Sequence, residues 1–229
     1  MKRWWLIPAV LLVVIVFGAI SCRLFNNYQQ SQIDPRELLT EALDRTGAAR
    51  SFRYDLESTL LVEGRKEEIS RIQGEKSPEG HIHIKGEMVK TPVDIYHFDQ
   101  AIYNWDSFSQ RWTVIKDAQT DTTKVLISEL DPLSNFNFKK IGEIKTKGWE
   151  TIDGRKCMIV NCKPSVENEL MEVLWRSFDY NIYVDVKEKL VRKATLSATS
   201  KNNADTYLKM TVSFKDFNEK ISIAKPKID

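Results

Sequence analysis

The chain has 229 residues, 42% of them hydrophobic, with 34 basic and 32 acidic side chains. Lys2 and Arg3 are the only charged residues of the first 21, so the remaining chain carries no net charge. A nucleic-acid-binding domain would show a basic excess, and we therefore expect no nucleic acid partner. The roughly 200 residues that follow are enough for one domain with a sizeable core.

Residues 1–21 are typical of an export signal, because two basic residues precede an apolar run. The run covers residues 4–20 and is 17 residues long. A signal-peptide core has about 7–15 apolar residues and a membrane-spanning helix about 20. The length of the run therefore lies between those of a cleaved signal and an anchor.

Cys22 ends this segment, and small residues precede it. The pattern resembles the lipobox of bacterial lipoproteins, although Ala19 stands where that motif usually has leucine and Arg23 follows the cysteine. Three interpretations remain open: a lipoprotein cleaved before a lipidated Cys22, an uncleaved single-pass N-terminal anchor, and a plain signal peptide. All three export the domain, and the first two tether it to the extracytoplasmic side of the cell membrane.

Residues 22–33 are polar and without periodicity, which predicts a tether, and the domain begins at residue 34. The stretch "DPRELLTEALDRTG" predicts a helix. Asp34 is placed as its N-cap, Pro35 occupies the first helical position and Glu37 gives the capping-box spacing. Gly47 is expected to end it. The apolar stripe of this helix consists of Leu38, Leu39, Ala42 and Leu43.

From Ser51 the apolar period changes from 3.6 to 2, as Phe52, Tyr54 and Leu56 alternate with charged residues. Five further strands are predicted at 66–75, 80–89, 92–99, 101–106 and 111–116. The short connections between them predict an antiparallel meander.

A second helix is predicted at 121–131, followed by a hairpin that turns at Asp153-Gly154. A third helix is predicted at 165–178, with Ser165 as its cap, and strands occupy the C-terminal part. The whole chain after the tether therefore predicts one α+β domain with ten or eleven antiparallel strands and three helices.

Cys157 and Cys162 lie on one predicted strand. Residues five apart on a strand are separated by roughly 16 Å, whereas a disulfide requires Cα atoms within about 7 Å. We therefore expect two free, buried thiols.

His81, His83 and His97 fall close together in sequence and could form a zinc site. His81 and His83 alternate with isoleucines, however, so we expect their rings on the solvent face and no metal. The sequence contains no G-x-S-x-G, G-x-G-x-x-G, P-loop or C-x-x-C motif. We expect no cofactor and no enzymatic activity.

Two segments, "GWETIDGRKCMIVNC" and "YNIYVDVKEKLVRKATLSAT", resemble hairpins of the outer-membrane lipoprotein carrier (LolA-like) superfamily, which includes RseB-type sensor domains and the mycobacterial LppX/LprG lipoproteins. The resemblance covers about residues 34–226. It implies a curved antiparallel sheet that forms an incomplete β-barrel, covered by about three helices, over residues 34–229. It also implies that the space between sheet and helices can hold acyl chains.

The sequence thus favours a membrane-tethered protein that binds a lipid, a lipoprotein acyl chain or another apolar ligand. The alternative is an interaction or sensor module that binds an envelope protein and has no small ligand. Strand alternation and helix stripes predict the following ligand-lining residues: Tyr54, Leu56, Tyr96, Phe98, Tyr103, Trp105, Trp112, Leu126, Leu130, Leu174 and Phe178.

Overall fold

The computed structural model describes residues 32–99, 101–116 and 132–228. The predicted signal at 1–21, Cys22 and the predicted helix at 121–131, with Leu126 and Leu130, lie outside the described residues.

The helices are α1 (Pro35–Gly47), a 3-10 helix (Pro132–Phe136) and α2 (Glu169–Leu174). The strands are β1 (Phe52–Val62), β2 (Arg65–Lys76), β3 (Ile82–Met88), β4 (Thr91–Phe98), β5 (Ala101–Asp106), β6 (Arg111–Ile115), β7 (Phe138–Lys140), β8 (Ile144–Ile152), β9 (Arg155–Cys162), β10 (Ser165–Val166), β11 (Trp175–Asp185), β12 (Leu190–Ser200) and β13 (Thr206–Lys215).

Eleven strands form one antiparallel sheet in the order β6-β5-β4-β3-β2-β1-β13-β12-β11-β9-β8, and β7 pairs separately with β10. The order places β6 and β8 at opposite edges, so the described sheet is open. This confirms the predicted antiparallel sheet and is consistent with an incomplete barrel. The described residues contain two α-helices and one 3-10 helix. The predicted helix at 121–131 lies outside them, so the predicted number of three helices is not confirmed.

The β1–β13 ladder joins the N-terminal meander to the C-terminal strands. Tyr54 pairs with Phe214 and Leu56 with Val212, and all four side chains are buried. We call the face that carries them the inner face, because α1 and the 3-10 helix pack on it. The core of the domain lies between this face and those helices.

Helix α1 begins where its local sequence predicts. The Asp34 side chain accepts hydrogen bonds from the backbone N–H groups of Arg36 (2.7 Å) and Glu37 (3.4 Å). Pro35 stands at the first helical position and Gly47 is the last helical residue, with Ala48 as the C-cap. The predicted stripe faces the sheet: Leu38, Leu39 and Ala42 are buried.

The prediction of a helix over 165–178 is wrong in its extent. Ser165 lies in strand β10, and the cap of α2 is Asn168, whose side chain accepts from the Met171 N–H at 2.9 Å. The helix ends after six residues because Trp175 begins β11, which pairs with β12. The ladder with β12 overrides the local helical pattern.

The hairpin predicted at Asp153-Gly154 is confirmed. The two residues have φ values of 48° and 75°, as a two-residue type I′ turn requires. Cys157 and Cys162, on β9 after this turn, are buried and free.

Candidate functional site

The inner face is mainly apolar, with a few polar side chains such as the hydrogen-bonded pair Ser58 and Ser70. Among the described residues it carries isoleucines on the N-terminal strands and aliphatic or aromatic residues on the C-terminal ones. The buried members include Ile72, Ile84, Ile95, Ile102, Leu196, Ile182 and Val160. Such a surface can bind an apolar ligand wherever the covering elements leave space.

One such space lies beneath α1. A cavity of about 320 Å³ separates α1 from the 3-10 helix, β7 and the start of β12. Its apolar lining consists of Leu43, Leu133, Phe136, Phe138, Ile141 and Val191. Its polar lining consists of Thr40, Asp44, Thr46, Asn137 and Glu167. Ligand pockets typically have volumes of about 300–1,000 Å³ and an apolar lining with few polar groups, so this cavity is at the lower end of the range.

Hydrogen bonds hold the walls of this cavity in place. The Tyr180 hydroxyl donates to the Asn135 carbonyl at 2.8 Å, which fixes the 3-10 helix on the inner face. The Val191 N–H donates to the Thr46 hydroxyl at 2.9 Å, which fixes the C-terminal turn of α1 on β12. Burial raises the pKa of Tyr180, so its hydroxyl stays protonated and remains a donor.

Two other concavities are charged. One of about 290 Å³ lies on the outer face of β1–β3 and includes Arg53, Asp55, His83 and Lys215. Its charges are paired: Lys215 lies 3.1 Å from Asp55. The larger one, of about 600 Å³, lies beside the β3–β4 turn and is lined mainly by lysines and glutamates. We take the cavity beneath α1 as the candidate site, because six of its twelve lining residues are large and apolar, although the charged concavity beside the β3–β4 turn is larger.

The structure separates the predicted ligand-lining residues into groups. Tyr54 and Leu56 lie on the inner face and are buried, and Phe178 is buried in the same core. Leu174 ends α2 and is 39% exposed. None of these four residues borders the cavity beneath α1.

The five aromatic residues predicted on β4–β6 lie on the outer face, which corrects the prediction that they share a surface with Tyr54. Strand register shows this placement, because Ile95 pairs with Ile84 on the inner face and Tyr96 therefore points outward with His83. The outward set is Tyr96, Phe98, Tyr103, Trp105 and Trp112.

These outer aromatic residues form one cluster. The Tyr96 ring stacks on His83 with centroids 3.9 Å apart and meets the Trp112 ring edge-on at 5.5 Å. Trp105 lies 5.3 Å from Trp112. His83 Nε2 is also 3.0 Å from an Asp94 carboxylate oxygen. These contacts bury much of the apolar surface of β4–β6 without any ligand.

The described part of the chain holds no group of three or more histidine, cysteine, aspartate or glutamate side chains placed to hold a metal. His97 lies on the inner side of β4, opposite in direction to His83, and burial lowers its pKa. Burial also raises the pKa of Cys157 to about 11 and of Cys162 to about 12. At neutral pH both thiols are protonated and are therefore poor nucleophiles.

Over the described ranges, neither helix has the length and apolar character needed to cross a membrane.

The described architecture is an open antiparallel sheet with helices on its inner face. No family model and no curated protein matches the sequence. Among solved structures, the chain is similar to the lipoprotein LppX of Mycobacterium tuberculosis, at 12% identity and a TM-score of 0.54 over 82% of this chain and 99% of that chain. It is also similar to LprF from Mycobacterium bovis, at 8% identity and a TM-score of 0.52 over 84% and 96% of the two chains. At these identities the likeness establishes the fold alone.

Sequence reasoning missed the cavity-lining residues between 133 and 141. Their signal is weak: "PLSNFNFKKI" has apolar residues without a helical or strand period. Contacts with residues distant in sequence, among them Tyr180, Phe214 and strand β10, fold this segment over the inner face.

Proposed function

We propose that this protein is an extracytoplasmic lipoprotein, tethered to the cell membrane, that binds a lipid or lipoprotein acyl chain in the cavity between α1 and the segment formed by the 3-10 helix and β7. The observation that carries the proposal is the cavity beneath α1, lined by Leu43, Phe136, Phe138 and other apolar side chains. The fold it shares with LppX, whose name describes it as a lipoprotein, supports the same class of function.

The cavity suits one end of an amphipathic molecule. Burying an acyl chain against its lining would yield about 0.8 kcal/mol for each CH2 group removed from water. Asp44 and Glu167 border the same cavity, and we assign the polar part of the ligand to their side of it. No cofactor is required for such binding.

The tether belongs to the same proposal. Cys22 would carry the lipid after cleavage of residues 1–21, and residues 22–33 would connect it to the domain. The alternative anchor would leave residues 4–20 in the membrane as a single span. Either arrangement holds the domain on the extracytoplasmic side, next to the lipids that it would bind.

A second candidate function is an interaction module for an envelope protein. It is favoured by the outer-face cluster, in which Trp105 and Trp112 remain half-buried. Tryptophan is enriched at protein interfaces, since it offers a large apolar body with one polar group. In this alternative the cavity beneath α1 would hold no ligand.

Intact mass of the membrane-extracted protein distinguishes these candidates. Under denaturing conditions, loss of residues 1–21 with an added diacylglycerol shows a lipoprotein, and an unprocessed chain shows the anchor. Under native conditions, we expect an additional non-covalent mass of lipid size. A chain that is repeatedly free of ligand would favour the interaction module.

Two variants locate the ligand. Leu43→Trp places a larger side chain in the cavity and should abolish the non-covalent mass. Leu61→Trp makes the same change on a half-exposed residue of β1 outside the cavity and should retain it. If both variants keep the lipid, the ligand does not occupy the cavity beneath α1.

A further inference from the structure

Exposed apolar side chains are concentrated at one end of the sheet. The structure describes eight large hydrophobic residues that are exposed. Five of them lie in turns or in α2 at the end where β1–β2, β3–β4, β5–β6 and β12–β13 turn: Val89, Phe108, Leu170, Val173 and Leu174. We call this the apolar end.

Helix α2 presents an apolar face outward. Leu170, Val173 and Leu174 are spaced as i, i+3 and i+4, so they share one side of the helix. They are 47%, 67% and 39% exposed, whereas Met171 points inward and is 7% exposed. A soluble helix normally turns this kind of stripe toward its core.

The β5–β6 turn carries an exposed phenylalanine. Phe108 is 97% exposed. Its backbone N–H donates to the Asp106 carboxylate at 2.9 Å, and the Ser109 hydroxyl donates to the same carboxylate at 2.7 Å. These bonds fix the turn before any binding event. Inserting the ring into an apolar phase would therefore cost little ordering entropy.

The opposite end of the sheet has charged turns. They carry Glu79 after β2, Asp99 after β4, Asp153 after β8, and Lys187 with Glu188 after β11. Charged side chains are costly to bring into a lipid phase. The turns of the apolar end also carry charged residues, namely Glu63, Lys90, Lys201 and Asp205. The two ends therefore differ in their exposed large hydrophobic side chains and not in the presence of charge.

The chain enters the domain away from the charged end. Thr46, in the last turn of α1, bonds to Val191 beside the β11–β12 turn at the charged end. Arg36, in the first turn, donates to the Gly142 carbonyl at 2.9 Å, near the start of β8. The N-terminus of α1 therefore points toward the apolar end.

We infer that the apolar end rests on the surface of the lipid bilayer, with Phe108 and the face of α2 inserted among the lipids. The inference rests on the proposed membrane tether. The 12 residues from 22 to 33 span at most roughly 40 Å when fully extended, so the tether holds the domain close to the bilayer. Exposed aromatic and aliphatic side chains are the groups that interfacial segments bury in lipid.

Spin-label accessibility on the full-length chain tests this docking. The protein is reconstituted in vesicles of phosphatidylethanolamine and phosphatidylglycerol, with single labels introduced by Phe108→Cys and Val173→Cys. Lys187→Cys and Glu79→Cys, at exposed turns of the charged end, are the matched controls. The buried thiols of Cys157 and Cys162 should remain unlabelled. Cys22 is labelled only in a chain that is not lipidated, which the intact mass reveals.

At positions 108 and 173 we expect more collisions with oxygen and fewer with a water-soluble nickel chelate than at positions 79 and 187. Equal, water-like accessibility at all four positions, or at either 108 or 173, would overturn the inference. The intact mass of the same samples separates this failure from that of the proposed function. A processed, lipidated chain with water-exposed labels rejects only the docking, whereas an untethered chain rejects the proposed function itself.

Discussion

Gly74 shows how a single residue shapes the inner face. It pairs with Tyr54 across the β1–β2 ladder, and the tyrosine ring leans over it. A Cβ atom at position 74 would lie 2.1 Å from Cζ of that ring. The ring is buried, so it has little freedom to move aside. The absence of a side chain at this position is therefore a packing requirement.

We expect Gly74→Ala to lower the free energy of unfolding by about 1–3 kcal/mol, the usual cost of overpacking a core. Chemical denaturation followed by circular dichroism measures this change. Gly47→Ala, where the added Cβ meets no atom within 4 Å, is the matched control and should not lower stability. If both variants unfold at the same denaturant concentration, the Tyr54 ring is not held over Gly74.

The two thiols of β9 give a second prediction at the scale of residues. Burial raises the pKa of Cys157 to about 11 and of Cys162 to about 12, while a thiol in an unfolded chain has a pKa of about 8.5. Iodoacetamide at pH 8 should therefore modify neither thiol in the native protein and both in denaturant, as counted by mass. Modification of the native chain would contradict their burial.

The raised pKa values of the two thiols also make the stability of the folded state depend on pH. Between pH 8.5 and 11 the unfolded chain loses these two protons and the folded chain keeps them. The unfolded state then binds fewer protons, so stability falls as the pH rises through this window. Replacing both cysteines with alanine should reduce the slope, although the cavities that remain lower stability at every pH.

At the scale of elements, the N-terminus of α1 is stabilised by a local capping residue, Asp34. The Asp34 carboxylate accepts two backbone N–H groups that would otherwise lack partners within the helix. We expect Asp34→Ala to destabilise the domain by about 0.5–2 kcal/mol, and Asp34→Asn by much less, since asparagine also caps helices. Thermal unfolding of the two variants checks the ranking. Equal losses would show that charge, and not hydrogen bonding, is the main contribution.

Helix α1 could be predicted because its cap, its proline and its apolar stripe are all local signals. The extent of α2 could not be predicted, because "MEVLWRSF" fits a helical stripe equally well. The ladder between β11 and β12 ends that helix at Trp175, and the bonding partner, Ser200, lies 25 residues away in the chain.

The prediction that the aromatic residues of β4–β6 share a face with Tyr54 was wrong for a related reason. In β4 and β5 both faces are apolar: Ile95 is followed by Tyr96, and Ile102 by Tyr103. Alternation therefore does not reveal which set points inward. Register with Ile84 on β3 settles it, and register depends on pairing across strands rather than on composition.

At the scale of the whole molecule, the β1–β13 ladder separates the sheet into an N-terminal and a C-terminal set of strands. The six N-terminal strands pair only with their neighbours in sequence on one side of it, and the strands that carry α1 and the cavity lie on the other. Both wings contribute to one continuous inner face. A ligand beneath α1 would therefore stabilise the native state as a whole, and would not stabilise a separate subdomain.

Removal of bound lipid should consequently lower the melting temperature. A ligand present at a hundredfold excess over its dissociation constant adds about 2.7 kcal/mol to the stability of the native state. For a domain of this size that corresponds to about 5–10 °C. Differential scanning calorimetry of the full-length chain in one detergent, before and after exhaustive lipid extraction, measures the shift. The Leu43→Trp variant serves as the control, since its filled cavity should make the two melting temperatures equal. A wild-type protein that melts at the same temperature in both states, or a variant that still responds to extraction, would contradict lipid binding beneath α1.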